Sequence, residues 1–428
     1  MSDWKNYQRT ILPNIPGLHQ IEIAVKNGGY EMLRQVLTSG KWTPESVTNE
    51  VRSANIRGRG GAGFNAGLKW SFMPKKAEGV PRYLACNGDE SEPNTFKDRR
   101  LFEFNPHLFI EGTMIACFAM QMDATYVYMR GEFADQIDRF QRAVDEAYKA
   151  GFIGKNILGS GYNCEMYVHK GAGAYICGEE TSLMESLEGK RPYPRSKPPF
   201  PANYGLWGKP TTINNIETLA NVPGVIRNGA KWFTSMGAPT HPGPVLYGLS
   251  GHINRPGVYE YPSGMKITDL VYHVGGGMKN GKRLKLVSPG GSSCPLIPAE
   301  KIEGLTMDAD SLRFVGSVMG TAGLLALDET TDIVKFTLGI AKFYDHESCG
   351  QCTPCREGTG WFVKILSRIE SGEGSTKDID LLLDLCDTME GRTICALADG
   401  TAWPIRSALV HFRSEFESKV RAGTFATT

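Results

Sequence analysis

The chain has 428 residues, 41% apolar and 22% charged, with a formal net charge of +1. That balance describes a globular protein of roughly two to four domains, and it excludes attraction to nucleic acid or to a membrane surface through bulk charge. Its 10 cysteines lack the spacing of a small disulfide scaffold, so they read as thiols of a reducing, intracellular compartment, where clusters bind metal.

The opening MSDWKNYQRTILP has no apolar core and no Arg/Ser-rich amphipathic leader, so no export or transit signal is expected. PESVTNEVRSA reads as a helix and runs into IRGRGGAGFNAGLKWSF, where Gly58, Gly60 and Gly63 match G-x-G-x-x-G. A dinucleotide fingerprint follows a strand, so the preceding helix argues against a standard Rossmann turn. Two readings stay open: a plain tight turn, or a phosphate cradle with Arg59 and Lys69 beside exposed amides. Phe64, Trp70 and Phe72 add flat faces for a stacked ring.

RYLACN predicts a strand that ends in Asn87, Asp89, Glu90 and Glu92. Ligands of α/β sheets collect beyond such strand ends. The carboxylates are either a solvated turn or acceptors for ribose hydroxyls, in which case they repel a 2′-phosphate and favour NAD over NADP. The apolar run from Leu108 to Met120 contains Glu111 and is too short to span a bilayer. ATYVYMR and CEMYVHK predict two more strands, and QIDRFQRAVDEAYKAG a helix that stops at Gly151. AYIC reads as a strand, Gly178 as a turn, and EETSLMESLEG as a helix with Glu179 and Glu180 at its positive end. Arg195, Lys197 and Phe200 stand in a Pro-rich loop suited to covering a nucleotide, and NNIETLANVP adds Asn214, Asn215 and Thr218.

These segments imply an α/β layered domain over 1–240. Residues 241–333, with short strands, Pro-Gly turns and one brief helix, imply a small β-rich α+β module. From 334 to 428 the pattern is helical, with helices expected at 332–346, 358–371, 376–390 and 403–421 as a four-helix bundle.

Between the first two helices stands HESCGQCTPCREGTGWF, with Cys349, Cys352 and Cys355 three residues apart. A bacterial ferredoxin run carries a fourth cysteine after three more residues; here that position is Thr359. Cys386 lies in a leucine-rich helix and reads as a small buried hydrophobe. Cys395 follows the glycine break at Gly391 and is the better fourth ligand. Three close thiols and one remote thiol suit a 4Fe–4S cluster, with structural zinc as the alternative.

Together GRGGAGF with Lys69 and Trp70, CNGDESEP with FKDR, GAGAYICGEETSLMESLEGKR, KPTTINNIETL and ESCGQCTPCREG closely resemble the NADH-binding flavoprotein subunit of respiratory complex I, over nearly the whole chain. The resemblance implies a flavin-binding α/β domain, a ubiquitin-like module of the soluble-ligand-binding type and a helical cluster domain. It implies an FMN site at Gly58, Arg59, Gly60, Gly61, Lys69, Asn87, Asp89, Glu90, Ser91, Tyr175, Gly178, Glu179, Asn214, Asn215 and Thr218. The NADH site would use Phe64, Phe72, Glu92, Glu180, Lys197 and Phe200, with Lys69, Glu92 and Glu180 closest to the chemistry. Cys349, Cys352, Cys355 and Cys395 match the family's cluster ligands in order. The chain departs from the family pattern at Asn65-Ala66, Gly88, Asn94 and Ala398.

The activity implied is hydride transfer from NADH to FMN and single-electron exit through the cluster. The implied partners are a 2Fe–2S thioredoxin-like subunit and a large multi-cluster subunit, and the implied place is the cytoplasmic face of a bacterial inner membrane, peripherally and without insertion. The alternative is the diaphorase subunit of a soluble hydrogenase or formate dehydrogenase.

Overall fold

The computed structural model describes residues 4–426, with side chains described through residue 420. Strands β1 (Tyr83–Gly88), β2 (Ala124–Met129), β3 (Glu165–Lys170) and β4 (Thr211–Asn215) form one sheet in the order β3-β2-β1-β4, every neighbouring pair parallel. Parallel neighbours require crossovers, and the helices Pro106–Met120, Ala134–Lys149 and Glu180–Leu187 lie between successive strands. The chain steps outward from β1 to β3 and then returns to place β4 on the other side of β1. That reversal is a switch point, where the strand ends diverge and leave a crevice. Asn87 of β1 and Asn215 of β4 stand in register there.

The Pro106–Met120 helix is buried almost all round. Its Gly112 lets the Leu219 carbonyl approach so closely that an added Cβ would overlap it, which seats the short Ile216–Ala220 helix behind β4. Glu111 in the same helix is satisfied by the amides of Met32 and Leu33 at 2.9 and 3.1 Å.

A second sheet holds β5 (Pro244–Gly251), β6 (Gly257–Pro262), β7 (Leu284–Ser288), β8 (Ile297–Pro298) and β9 (Gly323–Asp328) in the order β8-β7-β9-β5-β6. Only the β9–β5 pair is parallel. It has its own core, with Val245, Tyr247, Leu270 and Val287. Where the sequence implied one brief helix, there is a π-helical turn at Asp269–Val274 and an α-helix at Ala309–Phe314.

The remaining chain forms five α-helices rather than four: Ile333–Glu347, Thr353–Glu370, Thr376–Met389, Leu397–His411 and Arg413–Ala426. The second begins earlier than expected because Pro354 falls in its first turn, where its missing N–H is harmless. The expected last helix starts earlier, at Leu397, and is interrupted at Phe412, whose φ of −126° leaves the helical region.

AYIC is not a strand. Tyr175–Gly178 is a 3₁₀ turn, because the Tyr175 amide donates to Glu347 Oε2 at 3.1 Å instead of to a neighbouring strand. Ile176 of that turn packs in the same apolar cluster as Cys355 and Phe362 of the helical region. No helix among the described residues is long and apolar enough to cross a membrane.

Candidate functional site

The glycine loop closes between Arg57 and Asn65, with Gly58 N donating to Phe64 O at 2.8 Å. Asn65 then caps the Ala66–Trp70 helix, which carries Lys69, by accepting from Leu68 N. Gly61 has φ +110°, a conformation that favours glycine. The Arg59 amide donates to Thr218 Oγ1 at 2.9 Å, tying the loop to the helix after β4. The Arg59 guanidinium is buried. Its Nη2 donates to the carbonyls of Pro242 and Pro244 at 2.8 and 3.0 Å, while Nε and Nη1 have no hydrogen-bond partner among the described residues. Burial lowers its pKa, and Glu217 partly opposes that.

Around this loop lie two adjoining cavities. The larger, about 930 Å³, is lined by Gly58, Phe64, Lys69, Phe72, Glu180, Lys197 and Phe200 among others. The smaller, about 340 Å³, is lined by Arg59, Glu92, Lys97, Tyr175, Ser293 and Cys395 among others. Gly60, Asn87, Gly178, Glu179 and Asn215 line both. The switch-point pair Asn87 and Asn215 therefore sits on the partition between them.

At the larger cavity Phe64, Phe72 and Phe200 are 46%, 53% and 57% exposed, unusual for phenylalanine and suited to a ring stacked between them. Glu180 receives Lys69 Nζ at 2.8 Å and Lys197 Nζ at 2.6 Å. Burial alone would raise its pKa, but the two lysines outweigh it and hold the carboxyl down to about 2. Glu179 caps the Glu180–Leu187 helix, accepting from Thr181 N and Ser182 N at 2.8 and 2.9 Å. Asn214 accepts from Trp70 Nε1 at 2.8 Å.

The acidic turn after β1 divides its work. Asn87 Nδ2 donates to Gly178 O at 2.8 Å. Glu90 accepts the amides of Lys97, Asp98 and Arg99 and so caps the Asp98–Phe104 helix. Asp89 is hydrogen-bonded by the Ser91 hydroxyl. Burial pushes both carboxyls up to about 7, with Asp98 adding to the shift of Glu90. Glu92 stands apart from Lys69 and Glu180, on the smaller cavity, where it accepts from Tyr175 OH at 2.7 Å and Ser293 N at 2.8 Å.

Sequence reasoning missed a buried ionic group behind the partition. Lys97 Nζ lies 2.8 Å from Asp98 Oδ1 and 2.7 Å from Glu217 Oε2, and Asn215 Nδ2 donates to Asp98 Oδ2 at 2.6 Å. The FKDR stretch was the available signal, but its charge reads as surface until the topology buries it.

Cys349 and Cys352 precede the Thr353–Glu370 helix and Cys355 lies in its first turn; Cys395 lies just before the Leu397–His411 helix. Ile394 N lies 3.5 Å from Cys352 Sγ, which brings the two loops together. Burial raises Cys355, and Cys349 and Cys352 add to it. Burial, reinforced by Cys349 and Cys355, pushes Cys395 up to about 12. Cys386 is buried in the helical core with its Sγ 3.6 Å from Ala402 O. Among the described residues no group of three or more His, Cys, Asp or Glu is drawn together to hold a single metal ion. A 4Fe–4S cluster asks instead for one thiolate at each of four irons. The neighbouring thiols that raise Cys355 and Cys395 fit a group that supplies positive charge among them.

The residues also fit a flavin mononucleotide. Two unpartnered buried N–H groups of Arg59 beside Gly60 and Gly61 suit a phosphate, and the two linked cavities have room for flat rings.

Residues 51–224 match a family model described as the Nuo51 FMN-binding domain. Residues 335–419 match the NADH-ubiquinone oxidoreductase-F iron-sulfur binding region, and 246–297 an SLBB domain. The chain is 49% identical over 404 residues to the F subunit of NADH-quinone oxidoreductase from Rickettsia bellii (strain OSU 85-389), covering 94% of this chain and 96% of that one. It is 50% identical over 407 residues to the second F subunit of NADH-quinone oxidoreductase from Rhizobium meliloti (strain 1021), covering 95% and 96%. Among solved structures, NAD+-reducing [NiFe]-hydrogenase in the H2-reduced state matches with a TM-score of 0.80 at 33% identity, over 88% of this chain and 62% of that chain. The air-oxidised state of such an enzyme matches with a TM-score of 0.82 at 32% identity, over 94% and 67%.

Proposed function

The chain belongs to the family of NADH-quinone oxidoreductase F subunits, and we propose on that premise how its residues serve the reaction. It is an NADH-oxidising subunit that holds FMN and a 4Fe–4S cluster and passes electrons to partner subunits. When bound, the flavin supplies the exchange between a two-electron hydride donor and one-electron acceptors.

The observation that carries the residue assignment is the shared partition. Gly60, Asn87, Gly178, Glu179 and Asn215 line both cavities, and Cys395 lines the smaller. Gly58, Arg59, Gly60, Gly61, Asn214, Asn215 and Thr218 would hold the flavin's phosphate and chain. Asn87, Asp89, Glu90, Ser91, Tyr175, Gly178 and Glu179 would border its ring. Phe64, Phe72 and Phe200 would hold the adenine of NADH, and Lys197 and Glu180 would cover and orient the nucleotide. Lys69 places a cation at the larger cavity, suited to offset negative charge developing during hydride transfer. Glu92, on the smaller cavity, would orient the nicotinamide and ribose together with Glu180. Cys349, Cys352, Cys355 and Cys395 would each hold one iron.

The same reading divides the chain into an FMN- and NADH-binding unit (1–240), a ubiquitin-like module (241–333) and a cluster unit (334–428). It names as partners a 2Fe–2S thioredoxin-like subunit and a large multi-cluster subunit, on the cytoplasmic face of a bacterial inner membrane. The second reading, a diaphorase subunit of a hydrogenase or formate dehydrogenase, is favoured by the likeness to NAD+-reducing hydrogenase chains.

The test is to purify the chain with its associated proteins and assay NADH–ferricyanide and NADH–quinone activity. Quinone reduction only in the assembled complex, with flavin fluorescence after acid release, is the expected result. Co-purification with a hydrogenase subunit would overturn the first reading in favour of the second.

A further inference from the structure

Glu92 is held by donors from all three parts of the chain. Its Oε1 accepts from Ser293 N at 2.8 Å and lies 3.2 Å from the Ser292 hydroxyl and 3.4 Å from Tyr344 OH; its Oε2 accepts from Tyr175 OH at 2.7 Å. Ser292 and Ser293 belong to the loop after β7, and Tyr344 to the Ile333–Glu347 helix. The Ser292 and Tyr344 hydroxyls are themselves 2.9 Å apart, so one donates to the other and the second keeps its proton for Oε1. The approach is tight. Gly291 has φ +109°, and a Cβ there would stand 2.5 Å from Glu92 Cγ. A carboxylate oxygen accepts about two strong hydrogen bonds, so Oε1 is saturated and Oε2 keeps the spare capacity.

We propose that Tyr344 and Ser292 are positioning residues for NADH oxidation: by saturating Oε1 they lock the rotation of the Glu92 carboxylate and present Oε2 to the bound nucleotide. This rests on the reading that places Glu92 at the reaction. It assigns to the middle module and the cluster unit a part in hydride transfer, beyond supporting the fold. The groups facing Glu92 are the hydroxyls of Tyr175, Tyr344, Ser292 and Ser293, the Ser293 amide, and the buried Cys294 thiol, whose pKa burial and then Glu92 raise. Tyr344 and Ser292 are removable without touching a backbone donor or the turn that lines both cavities.

The experiment is a double-mutant cycle on the assembled, flavin- and cluster-loaded protein. Glu92→Gln, Tyr344→Phe, Ser292→Ala and each pair with Glu92→Gln are compared by NADH–ferricyanide kcat and KM, with flavin and iron content measured in every sample. Tyr344→Phe and Ser292→Ala are each expected to lower kcat by about three- to tenfold with flavin and iron retained, and to have no further effect once Glu92 is Gln. Equal losses in both backgrounds would overturn the positioning role and leave Glu92's own role standing. An unchanged kcat in Glu92→Gln would overturn both. If Tyr344→Phe fails to fold, Ser292→Ala decides the same question through the same carboxylate oxygen.

Discussion

Cys386 and Cys395 give opposite expectations from the same substitution. Cys386 is fully enclosed in the helical core, where it packs as a small apolar side chain. Its hydrogen bond is a weak one, Sγ to Ala402 O at 3.6 Å. Cys386→Ala removes a single buried sulfur, a cost of about 1 kcal/mol and a fall in Tm of a few degrees. Cys395 lies on the wall of the smaller cavity, close enough to Cys349 and Cys355 to feel both. Cys395→Ala removes a thiolate from the set of four. Each variant is reduced with NADH under anaerobic conditions, frozen for low-temperature EPR, and assayed for iron per flavin. Cys386→Ala should keep the signal and about four irons per flavin, and Cys395→Ala should lose the signal while keeping flavin. A protein that loses its signal with Cys386→Ala and keeps it with Cys395→Ala would refute the reasoning.

Phe200→Ala should raise the KM for NADH by about tenfold, the worth of one stacked aromatic face, with bound flavin unchanged; an unaltered KM contradicts the stacking role. Glu180 is held at about 2 against an ordinary 4.5, which contributes roughly 3 kcal/mol. That contribution is complete above about pH 4.5 and disappears as pH falls through 2, so the Tm of Glu180→Gln should decline less than that of the parent between pH 5 and 2. Parallel declines would count against the lysine clamp. Gly112→Ala should destabilise by several kcal/mol and release flavin, since the methyl overlaps the Leu219 carbonyl that seats the helix behind β4. Lys97→Met should cost about 3–5 kcal/mol by leaving Asp98 and Glu217 buried without their cation, measured as the shift in urea midpoint.

Strands β1, β2 and β3 were readable because aromatic and β-branched side chains in short runs suit a pleated, half-buried surface. The Pro44–Ser53 helix was readable too, and with it the finding that the glycine loop follows a helix. AYIC failed for a physical reason: four apolar residues carry no period, and the deciding partner, Glu347, lies in another part of the chain. The start of the Thr353–Glu370 helix was hidden because three cysteines in a row of turns suggest a loop, and only the cap geometry reveals that Cys355 is already helical. At the site, side-chain types announced the exposed phenylalanines and the cysteines. The hydrogen-bond division among Asp89, Glu90 and Glu92 was not visible, because adjacent carboxylates in a turn face different ways and local sequence does not say which. Lys97 with Glu217, and Glu92 with Tyr344, are pairs that only the fold brings together.

Linked domains ordinarily move against one another unless a large apolar interface prevents it. Here the Tyr175–Gly178 turn is common property: Ile176 is packed into the apolar core of the helical region, while Gly178 borders both cavities. A flavin in these cavities and a cluster on the cysteines would therefore both be tied to one short piece of backbone. Tunnelling between redox centres falls off exponentially with separation, so even small breathing motions between units would smear the transfer rate over a wide range. A turn clamped from both sides narrows that distribution. On the proposed assignment, recombining the two halves between relatives at the Gly178–Glu179 junction would reset the gap that electrons cross.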